Sequence, residues 1–192
     1  MKTGYIAEHF AAHLQVIERS ILALEEQAEE VGRVLVKALK EGNKIIAFGN
    51  GGSATQASHL VGELLGRFSA TRQPFPAIAL ASDAGTVTCI GNDFGYDVLF
   101  ERQAQALAQP GDVALGFTTS GRSENVRRGL MKAKERGATT VAITGAAGLI
   151  NGTADHVIAV PSDVTAHVQE VHLMLLHVWC IYIDGMLGEV ES

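Results

Sequence analysis

The chain has 192 residues, 47% of them hydrophobic, and a formal net charge of −6 at pH 7. That length fits one domain with a substantial core, and the acidic balance, with no Lys/Arg block longer than the pair Arg127-Arg128, argues against nucleic acid as the main partner. No charged-then-apolar leader opens the chain and no apolar run reaches the roughly 18 residues of a membrane span, so a cytoplasmic protein is expected, with Cys89 and Cys180 read as buried free thiols among apolar neighbours.

Residues 4–41 read as helix throughout. Ile6, Phe10, Leu14, Ile17, Ile21 and Leu24 recur at steps of three and four, Val31, Val34, Leu35, Ala38 and Leu39 continue the stripe, and Glu41-Gly42-Asn43 ends it. This is more helix than a first strand needs, which points to segment 1–43 as an oligomer contact. The run Lys44-Ile45-Ile46-Ala47-Phe48 then reads as a buried strand over 44–49. It leads through Gly49-Asn50-Gly51-Gly52-Ser53 into a helix over 53–66. A glycine-rich turn from strand to helix presents backbone N–H groups at a positive helix end, a place for a phosphate. His59 and Glu63 are spaced i,i+4 and share one helical face about a turn further on. Such a pair is either an ordinary polar face or the chemistry beside the anion. Arg67 at the helix end is either a partner of the helix dipole or a sugar-phosphate contact.

A second strand is expected over 77–81. Asp83 reads as an N-cap, and Ile90-Gly91-Asn92-Asp93-Phe94-Gly95 as a turn-rich segment. There Asp93, beside Asn92, either closes an Asx turn or bonds a sugar hydroxyl. A helix over 97–108 precedes a strand over 113–118. That strand opens into Thr118-Thr119-Ser120-Gly121-Arg122-Ser123 and a helix over 123–136. Ser120 or Ser123 can cap that helix, or the hydroxyls and N–H groups can surround a phosphate. The second glycine-containing turn on the same sheet edge favours the phosphate. Strands over 140–144 and 156–160 flank an irregular connection at 145–155, and a helix from about 165 to 187 closes the chain. Each strand is short and apolar on both faces, as in a parallel sheet covered on both sides. The fold class is therefore α/β, a three-layer α/β/α sandwich with five parallel strands in one domain over 1–192, binding its ligand beyond the carboxyl ends of the strands.

The last helix opens with Gln169-Glu170-Val171-His172 and carries His177 inside a very apolar run, Leu173 to Cys180. Burying a histidine there is costly without a partner. His177 is either a core histidine on a backbone carbonyl or, with a second histidine, a glutamate and a glutamine, part of a site for a borderline divalent ion such as zinc. Gln169 and His177 stand about 12 Å apart along the helix axis and about 80° around it, so they barely converge on one ion. Either Gln169 sits at a frayed helix start or a neighbouring subunit completes the site.

Together, Asn50-Gly51-Gly52-Ser53, His59-x3-Glu63, Gly91-Asn92-Asp93-Phe94-Gly95, Thr119-Ser120-Gly121-x-Ser123 and Gln169-Glu170-x-His172-x4-His177 span nearly the whole chain. In order and spacing they resemble the sugar isomerase (SIS) family, in its phosphoheptose isomerase branch. The resemblance implies a flavodoxin-like strand order and a homotetramer with active sites between subunits. It implies aldose–ketose isomerisation of sedoheptulose 7-phosphate to D-glycero-D-manno-heptose 7-phosphate through an enediol, the first step of nucleotide-heptose biosynthesis. It further implies one zinc per subunit on His59, Glu63, Gln169 and His177, with Glu63 and His177 as base and acid. Substrate contacts are expected from Asn50, Gly51, Gly52, Ser53, Glu63, Arg67, Asn92, Asp93, Thr118, Thr119, Ser120, Ser123 and Gln169. Two departures stand out: Thr118 replaces a serine common in the family, and Ala166, next to Thr165, stands where some members carry an aspartate. One alternative is a non-catalytic tetramer of this fold that binds the replication initiator; Glu63 and His177, both present, favour the enzyme. Another is a phosphosugar-binding regulator, for which the residues before the first strand look too apolar and too weakly basic to bind DNA.

Overall fold

The computed structural model describes residues 4–69, 71–149 and 152–188. Helix α1 (Tyr5–Lys40) precedes an alternation of β1 (Ile45–Gly49), α2 (Gly52–Leu65), β2 (Ala77–Ala79), α3 (Ala84–Phe94), a 3-10 turn at Tyr96–Val98, α4 (Leu99–Leu107), β3 (Val113–Thr118), α5 (Glu124–Glu135), β4 (Thr139–Thr144), β5 (His156–Ala159) and α6 (Thr165–Leu187). The sheet runs β2-β1-β3-β4-β5, with all four pairings parallel. This is the expected sandwich and the flavodoxin-like order. Every residue of β1 and β3 is buried, because alternate side chains enter opposite layers. Ile45 and Ala47 pack with α1, α2 and α6, while Ile46 and Phe48 pack with α4 and α5.

Residues 90–94 differ from expectation. The glycines and Asn92-Asp93 read as turns, yet the segment belongs to α3. The Asp83 carboxylate accepts from the Gly85 and Thr86 N–H groups, and Val87 and Ile90 turn inward against the core. A cap and two apolar anchors outweigh the helix cost of glycine, about 1 kcal/mol per residue. The same helix turns Cys89 outward; it is exposed, and only Cys180 is a buried thiol.

α1 is one helix of 36 residues, about 54 Å long. Its later turns bury Val31, Leu35 and Leu39, whereas Tyr5, Ile6, Phe10 and Leu14 in its first turns are exposed. α6 lies beside it, and the Trp179 indole N–H donates to the Ala28 carbonyl at 2.9 Å. By length and composition α6 is apolar enough to cross a bilayer, although its histidines and Glu170 interrupt every apolar run. In this fold it packs on the sheet, with Val168, Leu176 and Ile183 fully buried.

Candidate active site

Two turns that the sequence marks for phosphate lie side by side at the carboxyl edge of the sheet. The N-cap residues of α2 and α5, after β1 and β3, make no side-chain cap; the Ser53 and Ala54 N–H groups meet the Asn50 and Gly51 carbonyls and the Val126 N–H meets Asn125 Oδ1, and the positive helix ends face an anion arriving at this edge. The N-terminus of α3 is instead occupied by Asp83. Asn50 and Asn125 exchange amide hydrogen bonds of 2.9 Å in both directions, and the Tyr96 hydroxyl donates to Asn50 at 3.0 Å. The Asn50 side chain thus joins the two turns to each other. Ser53 and Thr118 are buried. The Thr118 and Ser123 hydroxyls share a hydrogen bond of 3.1 Å, and Ser120 Oγ accepts from the Arg122 N–H at 3.2 Å. Thr119 anchors the turn through its carbonyl, which accepts from the Gly145 N–H at 3.1 Å. Gly121 has φ +66°, and a Cβ there would overlap the Gly148 carbonyl oxygen. Glycine is required on both counts.

Gln169, in the second turn of α6, lies over the start of α2. A Cβ on Gly52 would come within 2.6 Å of Gln169 Nε2, so the bare glycine makes room for this amide. The Gln169 main-chain carbonyl accepts from Gln56 Nε2 at 2.6 Å.

Further along the same two helices stands the second group. His59 Nε2 lies 3.0 Å from Glu63 Oε1 and 3.3 Å from His177 Nε2. The two rings sit edge to face with centroids 5.1 Å apart, and Phe68 packs against His177 at 5.6 Å. The site is open, with the His59 side chain 40% exposed and Glu63 24%. Two imidazole nitrogens and a carboxylate oxygen form a donor set that suits a borderline divalent ion. The core histidine of α6 is His172 rather than His177. It is wholly buried and bonds the Thr144 carbonyl at 3.2 Å, and burial holds its pKa down at about 4.

Three expected site residues have only local hydrogen bonds. Arg67 lies past the end of α2 and donates to Thr71 at 3.3 Å. Asn92 donates to Asp93 at 2.7 Å in the exposed last turn of α3, a helical setting that replaces the expected Asx turn. The structure also adds a pair that the sequence reading missed. The Arg72 guanidinium bonds Asp184 on α6 at 2.6 Å and the Glu63 and Leu64 carbonyls at 2.9 and 3.1 Å. It therefore fixes the end of α2 against α6 next to the His59, Glu63 and His177 group. The only sequence signal was an aspartate in the otherwise apolar last turns of α6.

A parallel α/β domain with anion-ready helix ends on one sheet edge and a carboxylate–imidazole group beside them defines the class. The family model described as SIS domain matches residues 8–145, and the chain belongs to that family. It is similar to the phosphoheptose isomerase of Aquifex aeolicus, at 50% identity over 165 residues, 85% of this chain and 86% of the relative. Against the phosphoheptose isomerase of Maridesulfovibrio salexigens the identity is 44% over 191 residues, 97% and 93% of the two chains. The solved structure of a phosphoheptose isomerase from Francisella tularensis matches with a TM-score of 0.91 at 33% identity, covering 96% of this chain and 100% of that one. Within the SIS domains, the chain's branch is that of the phosphoheptose isomerases.

Proposed function

We propose that this chain is an aldose–ketose isomerase that converts sedoheptulose 7-phosphate to D-glycero-D-manno-heptose 7-phosphate in the cytoplasm, opening nucleotide-heptose biosynthesis. The observation that carries this reading is the convergence of His59, Glu63 and His177, from two helices, beside anion-ready helix ends. In this assignment the phosphate sits at the α2 and α5 N-termini among Ser53, Thr118, Thr119, Ser120 and Ser123. These hydroxyls and N–H groups hold a dianion without a fixed counter-charge that would retain product. Asn50 holds the two turns in register, and Gln169 over Gly52 faces the middle of the sugar.

The reacting end of the sugar then falls between Glu63 and His177. A ketose becomes an aldose when a proton leaves C1 and returns at C2 while a hydroxyl proton moves between the two oxygens. Glu63 takes the C1 proton and delivers it to C2 of the enediol. His177 carries the proton between the hydroxyls, so no proton is gained or lost overall. A carboxylate has two oxygens; Oε1 faces His59, and the second is assigned to the carbon-bound proton. The donors present fit a zinc ion held by His59, Glu63 and His177, with Gln169 able to join once its amide leaves Gly52. When bound, such an ion supplies polarisation of the substrate carbonyl.

The exposed stripe of α1 supports a homotetramer with active sites between subunits. With α6 it borders an apolar groove of about 360 Å³ lined by Ile21, Leu24, Val171, Met174 and Val178 among others. A second copy of these helices would cover it.

The test is incubation of purified protein with sedoheptulose 7-phosphate, followed by NMR for the aldose. Glu63→Gln should lower turnover by at least the roughly 10²–10⁴-fold that a positioned base supplies, with circular dichroism unchanged. No aldose from the wild-type protein would remove the isomerase reading and return the replication-initiator-binding tetramer or the phosphosugar-binding regulator. Wild-type turnover that survives in Glu63→Gln would remove Glu63 as the base.

A further inference from the structure

A second histidine cluster lies where the first turns of α1 meet the first turns of α6. α1 contributes His9 and His13 at i,i+4, and α6 contributes His167 and Glu170 at i,i+3, so each helix presents two donors one turn apart. His9 Nε2 lies 2.8 Å from Glu170 Oε1, and His13 Nδ1 lies 3.0 Å from Glu170 Oε2. The His167 ring fills the remaining side, with its centroid 4.7 Å from that of His9 and 5.5 Å from that of His13. His167 is only 7% exposed, and among the described residues no hydrogen bond reaches its ring nitrogens. His13 Nδ1 and Glu170 Oε2 are buried too, and they approach without lining up as a hydrogen bond. Two buried polar atoms around one point, His13 Nδ1 and Glu170 Oε2, thus lack the hydrogen bonds that buried polar groups normally have, with the His167 ring beside them.

We propose that His9, His167 and Glu170, with His13 in reach, form a second metal site that takes a borderline divalent cation of the zinc type. One donor atom from each of the three lies within 4.8 Å of the others. A tetrahedral ion with bonds of about 2.0–2.2 Å sets its donors about 3.3–3.6 Å apart, which these side chains reach by small rotations. An imidazole-rich set with one carboxylate selects zinc, cobalt or nickel over magnesium or calcium, which prefer all-oxygen cages. Pairing a carboxylate and a histidine at i,i+3 on one helix with donors from its neighbour is a recurrent way for packed helices to hold metals. None of these residues belongs to the His59, Glu63 and His177 group, so the site stands whether or not that group binds an ion. Its effect is structural: the ion clamps the projecting first turns of α1 onto the start of α6.

The experiment uses tag-free protein, stripped with a chelator and titrated with Co²⁺. Stoichiometry comes from equilibrium dialysis, and geometry from the visible absorption of tetrahedral cobalt. The background carries His59→Ala and His177→Ala, which removes donors of the other group. We expect this double variant to hold one Co²⁺ per chain and to melt at a higher temperature with the ion than without it. Adding His9→Ala or Glu170→Gln, both at partly exposed positions, should abolish the visible bands and the thermal shift while circular dichroism stays native. A double variant that binds no Co²⁺, or binding that survives both further substitutions, overturns the proposal. Aldose formation by the wild-type protein is read separately, so failure of the isomerase assignment is not confused with failure of this site.

Discussion

Arg72→Met tests what holds the proposed acid–base group together. The Arg72 side chain is 2% exposed and its partner Asp184 6%. The guanidinium makes the 2.6 Å bond to Asp184, donates to the Glu63, Leu64 and Gln73 carbonyls, and stacks 4.4 Å over the Phe75 ring. Methionine keeps much of the apolar stem, so the main loss is charge and hydrogen bonding. Asp184 would keep the Ser69 N–H and hydroxyl, both at 3.1 Å, and lose its guanidinium partner. Leaving one partner of such a pair buried costs about 3–5 kcal/mol. In a domain of this size each kcal/mol shifts the melting temperature by about 2–4 °C, so thermal unfolding should move down by roughly 6–20 °C. The bonds lost include one to Glu63 itself, and the surviving folded enzyme should therefore show a lower kcat with little change in KM. Arg72→Met combined with Asp184→Leu removes both charges and should recover more than half of the lost stability. A single variant that loses under about 1 kcal/mol, or a double variant as unstable as the sum of its parts, would refute the argument, since the coupling of a contacting pair should be visible in the cycle.

Gly121→Ala combines a left-handed φ with an overlap on the Gly148 carbonyl, whereas Gly148→Ala has nearly the same φ, +65°, and open space. The second should cost only the roughly 1–2 kcal/mol of backbone strain; the first should cost more and raise KM for the phosphosugar, as read by steady-state kinetics. His172 titrates at about 4 in the fold because burial disfavours its charged form, against an ordinary value of 6.5. The unfolded chain therefore binds the proton first, and stability should fall as pH drops from about 6.5 to about 4 and level off below. The loss attributable to this group is at most about 3 kcal/mol, and His172→Gln should flatten that part of a denaturant-midpoint profile. Cys180 is buried, and its thiol is pushed up to about 12, chiefly by burial and then by the Glu63 and Asp184 carboxylates, while Cys89 is exposed. Iodoacetamide near neutral pH should label Cys89 in the native protein and Cys180 only after unfolding, as peptide mass mapping would show.

The sheet was legible because its strands are short, doubly apolar runs, a pattern with few other homes. α3 was not, although Asp83 read correctly as its cap, because its glycines mask two inward anchors that act only once the sheet is there to receive them. Within α6 the answer lay in the spacing: Val168, His172, Leu175, Trp179 and Ile183 recur at three and four and are buried. That stripe carries His172 into the core and leaves His177 on its flank, facing His59. The limited convergence of Gln169 with His177 is a matter of helix geometry, and in the structure the Gln169 amide lies beside Gly52. Arg72 and Asp184 stand 112 residues apart, and no local pattern links them.

In the proposed assignment, the α2–α6 pair is the unit on which function depends. Ser53, at the anion end of α2, and His59 are six residues apart on one helix, about 9 Å along its axis. That is the scale of an extended phosphorylated sugar, gripped at its tail and worked on at its other terminus. On that assignment one helix sets the distance between grip and chemistry. α6 closes the pair from the other side, with Gln169 over the anion end and His177 at the reacting end. Arg72 and Asp184 lock the two helices beyond His177. A substrate shorter by several carbons would keep its phosphate contacts and lose reach to Glu63, so kcat should discriminate against short ketose phosphates more strongly than KM does. Equal kcat for a three-carbon and a seven-carbon ketose phosphate would show that the helix does not act as this ruler.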